Sequence, residues 1–222
     1  AKQEKKVIVD NKVDDNKVGV KTVICSENNT AVLFYDGNVY CFGNYLYKLA
    51  NESFDYFLYP IQSKDIKVKN IALGSNHILL LTVTSEVYCL GKNKEGQLGL
   101  GFSSEIVEAF TFNNKLKGKS IKKISACENY SAVLTSNDEI YLLGDISFTE
   151  NSRHTKFQLL PKYMQWGKVK KFALGPTHIV FLELNTSNNY VLKSIGLGIY
   201  CKLGDGNEYE EDRFDPVNVL LT

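Results

Sequence analysis

Apolar stretches in this chain are short. The longest, such as Ile78–Val83, fall far below the roughly 20 residues that a helix needs to cross a bilayer, so no membrane span is expected. Charge of one sign is also missing. Lys and Arg number 26 against 25 Asp and Glu, a formal net charge of +1. That balance gives no long-range pull toward nucleic acid, whose binders usually carry a strongly basic domain or face, and nucleic acid is not an expected partner. The start, Ala1–Lys6, is charged and runs into only three apolar residues, Val7–Val9, so no secretory signal is read there. Beginning at Ala1, the chain is expected to be processed or cut from something longer.

The five cysteines, Cys25, Cys41, Cys89, Cys127 and Cys201, form no CxxC pair and no zinc-like cluster. An odd number without a framework fits a reducing compartment, and the expected location is cytoplasm or nucleus. Sequons at Asn28, Asn51, Asn129 and Asn185 would suit secretion, but in a chain this rich in Asn they read as chance. Familiar catalytic signatures are absent too: no GxxxxGK[ST] loop, no GxSxG elbow, no acid and base at recognisable spacing. Gly196-Leu197-Gly198 opens like a dinucleotide fingerprint, but Cys201 stands where its third glycine belongs and no βαβ pattern surrounds it. The chain is therefore not read as an enzyme, and no cofactor or metal is expected.

What the chain does have is an internal repeat. A hydrophobic unit closed by glycine recurs four times: VYCFG ending at Gly43, VYCLG at Gly91, IYLLG at Gly144 and VLKSIG at Gly196. A turn begins 17 residues before each of the first three glycines, at Ser26, Gly74 and Cys127, and 21 residues before the fourth, at Gly175. An insertion of four residues around Thr186–Asn189 explains the difference. Residues that recur are first of all scaffold. The position two before the glycine holds Cys41, Cys89, Leu142 and Ser194, and so reads as a packing site, not a redox centre.

The second copy is the most complete. Val68–Leu73 is an apolar strand, Gly74-Ser75-Asn76-His77 a turn, Ile78–Val83 a second strand, Thr84-Ser85 a turn, and Val87–Leu90 a third strand closed by Gly91. Asp36-Gly37 and Asn137-Asp138 supply turn chemistry at the matching offset in the first and third copies. A variable loop follows the glycine. Then comes a strand marked by Pro60, Pro161 or Pro216, with Ala109 in the second copy, where proline suits a strand's first residue or an edge. Each unit of about 50 residues thus gives roughly four short strands and no convincing helix, as propeller blades do.

The second copy, LGSNHILLL followed by VYCLGKNKEGQLGLG through Gly101, resembles a repeat of the regulator of chromosome condensation family, whose unit pairs a Gly-x-x-His turn with a GQLG loop, here Gly96–Gly99. The fourth copy matches more loosely through Gly175-Pro176-Thr177-His178 and Leu203–Gly206. The first and third have Asn29 and Tyr130 at the histidine position and no GQLG. The resemblance implies an all-β, propeller-type array of about four blades, part of a seven-bladed ring or an incomplete ring. Residues 1–19 would form an N-terminal segment with one strand. The array would occupy 20–222, divided as 20–67, 68–120, 121–168 and 169–222. It implies a non-enzymatic protein-interaction scaffold, with guanine-nucleotide exchange on a Ran-like small GTPase as the alternative. It also implies assembly with further repeats or another chain to complete the ring. The family's plant ultraviolet photoreceptor needs a tryptophan cluster, and Trp166 stands alone.

Several residues are candidates for binding a partner. Lys21, Lys69, Lys122 and Lys170 each fall five residues before their copy's turn, joined by Lys123 and Lys171. Blades would set them in a crescent facing an acidic partner, or they are lysines that solvate strands and protect edges. The loop Asn44–Tyr59 carries Tyr45, Tyr47, Phe54, Tyr56, Phe57 and Tyr59, as an interface would, or as a satellite core under the loop. The acidic run Asp205–Asp215 reads as solvated surface. His77 and His178 read as turn histidines bonded to nearby backbone, with His154 in a loop.

Overall fold

The computed structural model describes residues 19–27, 29–43, 61–62, 65–146, 158–164, 166–198, 200, 202–207 and 212–220. The Val7–Val9 segment, the aromatic loop and His154 lie outside them. The described chain is strand and turn, with one 3-10 turn at Asn114–Leu116.

Four sheets follow one another along the chain. The first holds β1 (Val20–Cys25), β2 (Asn29–Phe34), β3 (Val39–Gly43) and β4 (Ile61–Gln62). The second holds β5 (Val68–Leu73), β6 (His77–Thr82), β7 (Val87–Asn93) and β8 (Ser104–Phe112). The third holds β9 (Ile121–Cys127), β10 (Tyr130–Thr135), β11 (Ile140–Gly144) and β12 (Gln158–Met164). The fourth holds β13 (Lys168–Leu174), β14 (His178–Leu184), β15 (Tyr190–Leu197) and β16 (Asp212–Asn218). Every sheet is an antiparallel meander in sequence order, the connection that short turns favour. Pro161 and Pro216 fall inside β12 and β16, not at a first residue. Both strands are outermost in their sheets, where a missing N–H costs no ladder bond.

The hydrophobic pattern of each second strand follows its neighbours. NTAVLF in β2 alternates buried and half-buried positions, whereas HILLLT in β6 and YSAVLT in β10 are buried throughout. A strand covered on both faces has no solvent side to alternate with. Three clusters form the core, each straddling two adjacent sheets. Leu33 and Val39 meet Val68 and Ile71, Leu79 and Leu81 meet Ile121 and Ile124, and Leu134 and Ile140 meet Val169 and Phe172. No sheet owns its own core, so blades are stable only side by side.

The turns repeat as strictly as the strands. Each middle hairpin closes through a residue with positive φ: Gly37 at 87°, Ser85 at 64°, Asp138 at 66° and Asn188 at 61°. The same two backbone bonds recur, as in Phe34 N to Asn38 O at 2.9 Å and Gly37 N to Phe34 O at 3.0 Å, the pattern of a three-residue hairpin loop ending in a left-handed residue. In the fourth sheet two further pairs, Glu183 with Val191 and Leu184 with Tyr190, precede the turn. This is where the four-residue insertion goes. The glycine that ends each repeat has a steric reason. A Cβ on Gly91 would lie 2.5 Å from Asn76 O, one on Gly144 2.5 Å from Asn129 O, and one on Gly196 2.3 Å from Thr177 O.

Candidate interaction surface

Antiparallel meanders divide each sheet into two rims. The turns before β2, β6, β10 and β14 lie on one rim, together with the ends of β3, β7, β11 and β15 from which the variable loops leave. The middle hairpin turns lie on the other. Lys21, Lys69 and Lys122 are the second residues of β1, β5 and β9 and Lys170 the third of β13, so all four sit at the hairpin rim. Tyr45, Tyr47, Phe54, Tyr56 and Phe57 lie outside the described residues, but β3, which precedes them, runs away from the lysine rim.

The lysine ammonium groups are engaged with the frame. Lys21 Nζ donates to Lys69 O at 2.8 Å, across the joint between the first and second sheets. Lys69 Nζ donates to Ser85 Oγ at 3.1 Å. Lys122 and Lys170, from the third and fourth sheets, both donate to the carboxylate of Asp138. Partial burial raises the Asp138 pKa, but the hydrogen bonds and charges of the two lysines outweigh it and hold the carboxyl below its ordinary range. Both lysine side chains stay about one-third exposed, at 36% and 31%. Lys123 turns to the next sheet, donating to Phe172 O at 2.7 Å and lying 4.5 Å above its ring. Asp138 was legible only as a turn residue. Its left-handed slot points the carboxylate between two blades.

The histidine position forms a second set of joints at the opposite rim. Asn29 Nδ2 donates to Ser75 O at 2.7 Å, His77 Nε2 lies 2.7 Å from Ser131 Oγ, and Tyr130 OH donates to Gly175 O at 2.5 Å. Each bond reaches from one sheet into the next. The histidine expectation is thus corrected in one respect: His77 bonds a side chain in the following blade, not nearby backbone. Burial depresses its pKa to about 3, so the ring is neutral near pH 7. His178 is also depressed, by burial and then by the Lys202 charge. Glycine and histidine go together for a reason of space, since a Cβ on Gly74 would lie 2.1 Å from His77 Cε1 and one on Gly175 2.2 Å from His178 Cε1. Ser26 and Cys127 stand at the glycine position where Asn29 and Tyr130 replace histidine.

The GQLG loop is a wedge. Leu98 is fully buried and belongs to the core shared with the third sheet. A Cβ on Gly99 would strike Leu143 Cδ2 at 2.1 Å. Buried Asn93 and Asn113 satisfy the loop backbone, through Leu98 N to Asn93 Oδ1 at 3.1 Å and Asn113 Nδ2 to Leu98 O at 2.7 Å. The packing-site position contributes as well, for Ser194 Oγ donates to Leu203 O at 2.6 Å in the fourth sheet. Burial pushes the Cys41 and Cys89 thiols up to about 12, which leaves them protonated and unreactive. Among the described residues no group of three or more His, Cys, Asp or Glu could hold a metal ion, and no helix is long and apolar enough to cross a membrane.

Residues 68–97, the second copy from β5 into the GQLG loop, match the profile of the regulator of chromosome condensation (RCC1) repeat. The chain thus contains an RCC1 repeat. It is similar to the X-linked retinitis pigmentosa GTPase regulator of Canis lupus familiaris, 37% identical over 132 residues that make up 55% of this chain and 13% of that protein. A probable E3 ubiquitin-protein ligase, HERC4 of Rattus norvegicus, is 31% identical over 153 residues, 66% of this chain and 14% of the ligase. The RCC1-type array thus spans a small part of these relatives' length. Among solved structures, Prp20p of Saccharomyces cerevisiae superposes with a TM-score of 0.75 at 23% identity, over 93% of this chain and 51% of that one. That structure was described with its binding to Gsp1p and histones. At this identity the likeness shows the fold: the described residues form four blades of an RCC1-type propeller.

Proposed function

We propose that this array is a non-enzymatic scaffold that holds a protein partner on the loops of its RCC1-type blades. One observation carries the reading. The four recurring lysines, and Asn29, His77 and Tyr130 at the histidine position, bond within or between adjacent sheets, so the surface least committed to the frame is what departs from the repeat. On one rim that is the set of loops after β3, β7, β11 and β15, including the aromatic residues Tyr45, Tyr47, Phe54, Tyr56 and Phe57. On the other rim the recurring row Lys21, Lys69, Lys122 and Lys170 is bonded to the frame, and Lys122 and Lys170, still about one-third exposed, would add a charge contact with an acidic surface. The proposed partner is another protein, the proposed location cytoplasm or nucleus, and no catalytic step is assigned.

The second reading is exchange of guanine nucleotide on a Ran-like small GTPase. It is favoured by the similarity to Prp20p, described with binding to Gsp1p, and to a protein named as a GTPase regulator. The two readings separate in one assay. A Ran-type GTPase loaded with fluorescent GDP is mixed with the array and excess GTP. An unchanged release rate supports the scaffold, and release accelerated tenfold or more establishes exchange and overturns it.

A further inference from the structure

The rim of the middle hairpins carries a patch of lysines around the third sheet. The connection from β8 to β9, Asn113–Ser120, reaches this rim with Lys115, Lys117 and Lys119. It has no counterpart of its length between the third and fourth sheets, where β12 ends at Met164 and β13 begins at Lys168, so it is one of the features that depart from the repeat. Lys122, Lys168 and Lys170 lie within the first three residues of β9 and β13, on the same rim.

The connection is held in place at both ends. Asn113 Oδ1 accepts from Lys115 N at 3.0 Å and Leu116 N at 3.2 Å, and Leu116 is buried in the core shared by the second and third sheets. At the far end Ser120 O accepts from Ser136 N at 2.9 Å and from Ser136 Oγ at 3.0 Å, which ties the loop to the hairpin turn of Asp138. Lys119 donates to Tyr141 OH at 3.0 Å and lies 4.3 Å from the centre of its ring. Lys122 and Lys170 share the Asp138 carboxylate. An ammonium group has three N–H donors, so each of these two keeps donors to spare. Lys115 and Lys117 are exposed, and among the described residues their ammonium groups bond to nothing.

Charge separates across the third sheet. Against the lysines the hairpin rim sets Asp138 and Glu139, whereas the opposite rim of the same sheet carries Glu128 and Asp145. A net charge of +1 therefore hides a local polarity that steers an anionic group to one side. Two features favour protein carboxylates over nucleic acid. The patch is all lysine, without the bidentate arginine forks that suit phosphate. Its rings are also engaged, Tyr141 buried beneath Lys119 and Trp166 stacked on Phe181 at 4.5 Å, so neither stands out as a platform for bases.

We propose that this patch docks an acidic segment of a protein partner, a run of Asp and Glu whose carboxylates take the ammonium groups of Lys115 and Lys117 and the spare donors of Lys122 and Lys170. Loop and clamp hold these donors beforehand, which lowers the cost of ordering on binding. The inference rests on the scaffold reading for the class of partner, and gives that partner a chemistry and a side of the array.

The test titrates a fluorescein-labelled oligoglutamate peptide with the 222-residue chain, followed by anisotropy at low salt. Saturable binding that weakens as salt rises is expected. Lys117→Glu should weaken it about threefold and Lys115→Glu with Lys117→Glu about tenfold. Lys94→Glu, on the opposite rim with its side chain 58% exposed, should leave it unchanged. All three positions are exposed, so the variants keep the fold, which circular dichroism checks. Absence of saturable binding, equal loss from Lys94→Glu and Lys117→Glu, or an oligothymidylate of matched length binding as tightly as the peptide would each overturn the proposal. None of these outcomes touches the scaffold reading, which falls to accelerated nucleotide release instead.

Discussion

His77 in the second blade and Ser131 in the third meet at 2.7 Å between Nε2 and Oγ, with both side chains fully buried. The bond is the buried polar contact of a joint whose core is apolar and whose rim carries the Ser75–Glu128 bonds. Ser131→Ala removes the partner but leaves a buried ring nitrogen, which costs about 1 to 3 kcal/mol. A lower urea midpoint with an unchanged m-value checks this, and Ser131→Thr, which retains the hydroxyl, is expected to lose less.

The same burial makes stability depend on pH. His77 is depressed from 6.5 to about 3 in the folded chain, so the unfolded chain binds a proton that the folded chain refuses. Its contribution is complete above pH 6.5 and is lost as pH falls toward 3, about 4 to 5 kcal/mol over the whole span at roughly 1.4 per pH unit. Asp138, also depressed, adds a loss only below its ordinary carboxylate pKa. His77→Asn, the first blade's choice, is expected to flatten the curve between pH 6.5 and 4 in chemical denaturation.

Glycine and histidine should behave as one unit. Gly74→Ser drives a side chain into the ring of His77 and is expected to cost about 1 to 3 kcal/mol, as overpacking does. Combined with His77→Asn it reproduces the Ser26 and Asn29 pairing of the first blade. The double variant is expected to be more stable than the sum of the single effects, a coupling that a double-mutant cycle measures directly.

Asp138 competes with any acidic partner for Lys122 and Lys170. Asp138→Asn leaves the two ammonium groups without their carboxylate, so more salt should be needed to elute the array from heparin resin. Lys122→Glu with Lys170→Glu should elute earlier than the unchanged chain. Equal elution of all three would show that this rim presents no usable positive charge.

Much of the frame was legible. The glycine-closed unit, the matching turns and the insertion near Thr186 located the strands, because alternation and turn chemistry are local properties of the chain. Which residue answers which across a joint was not. Nothing near His77 in sequence announces Ser131, 54 residues away, and nothing near Lys170 announces Asp138. The regular spacing of the four lysines marked a shared rim, yet spacing cannot tell an ammonium group facing solvent from one donating to a neighbouring carbonyl. Gly74 was legible as a turn residue, but its need to be glycine comes from the size of the ring beside it.

The longer fourth hairpin has one more consequence. Two extra residues in each strand extend it about 7 Å past its three counterparts, at roughly 3.3 Å per residue. A wheel of near-identical spokes offers a visitor several equivalent orientations. This one spoke stands proud of the others, with Tyr190 65% exposed in the last pair before its turn, and works as an index mark: whatever lies flat across that side must fit around it, in one rotation only.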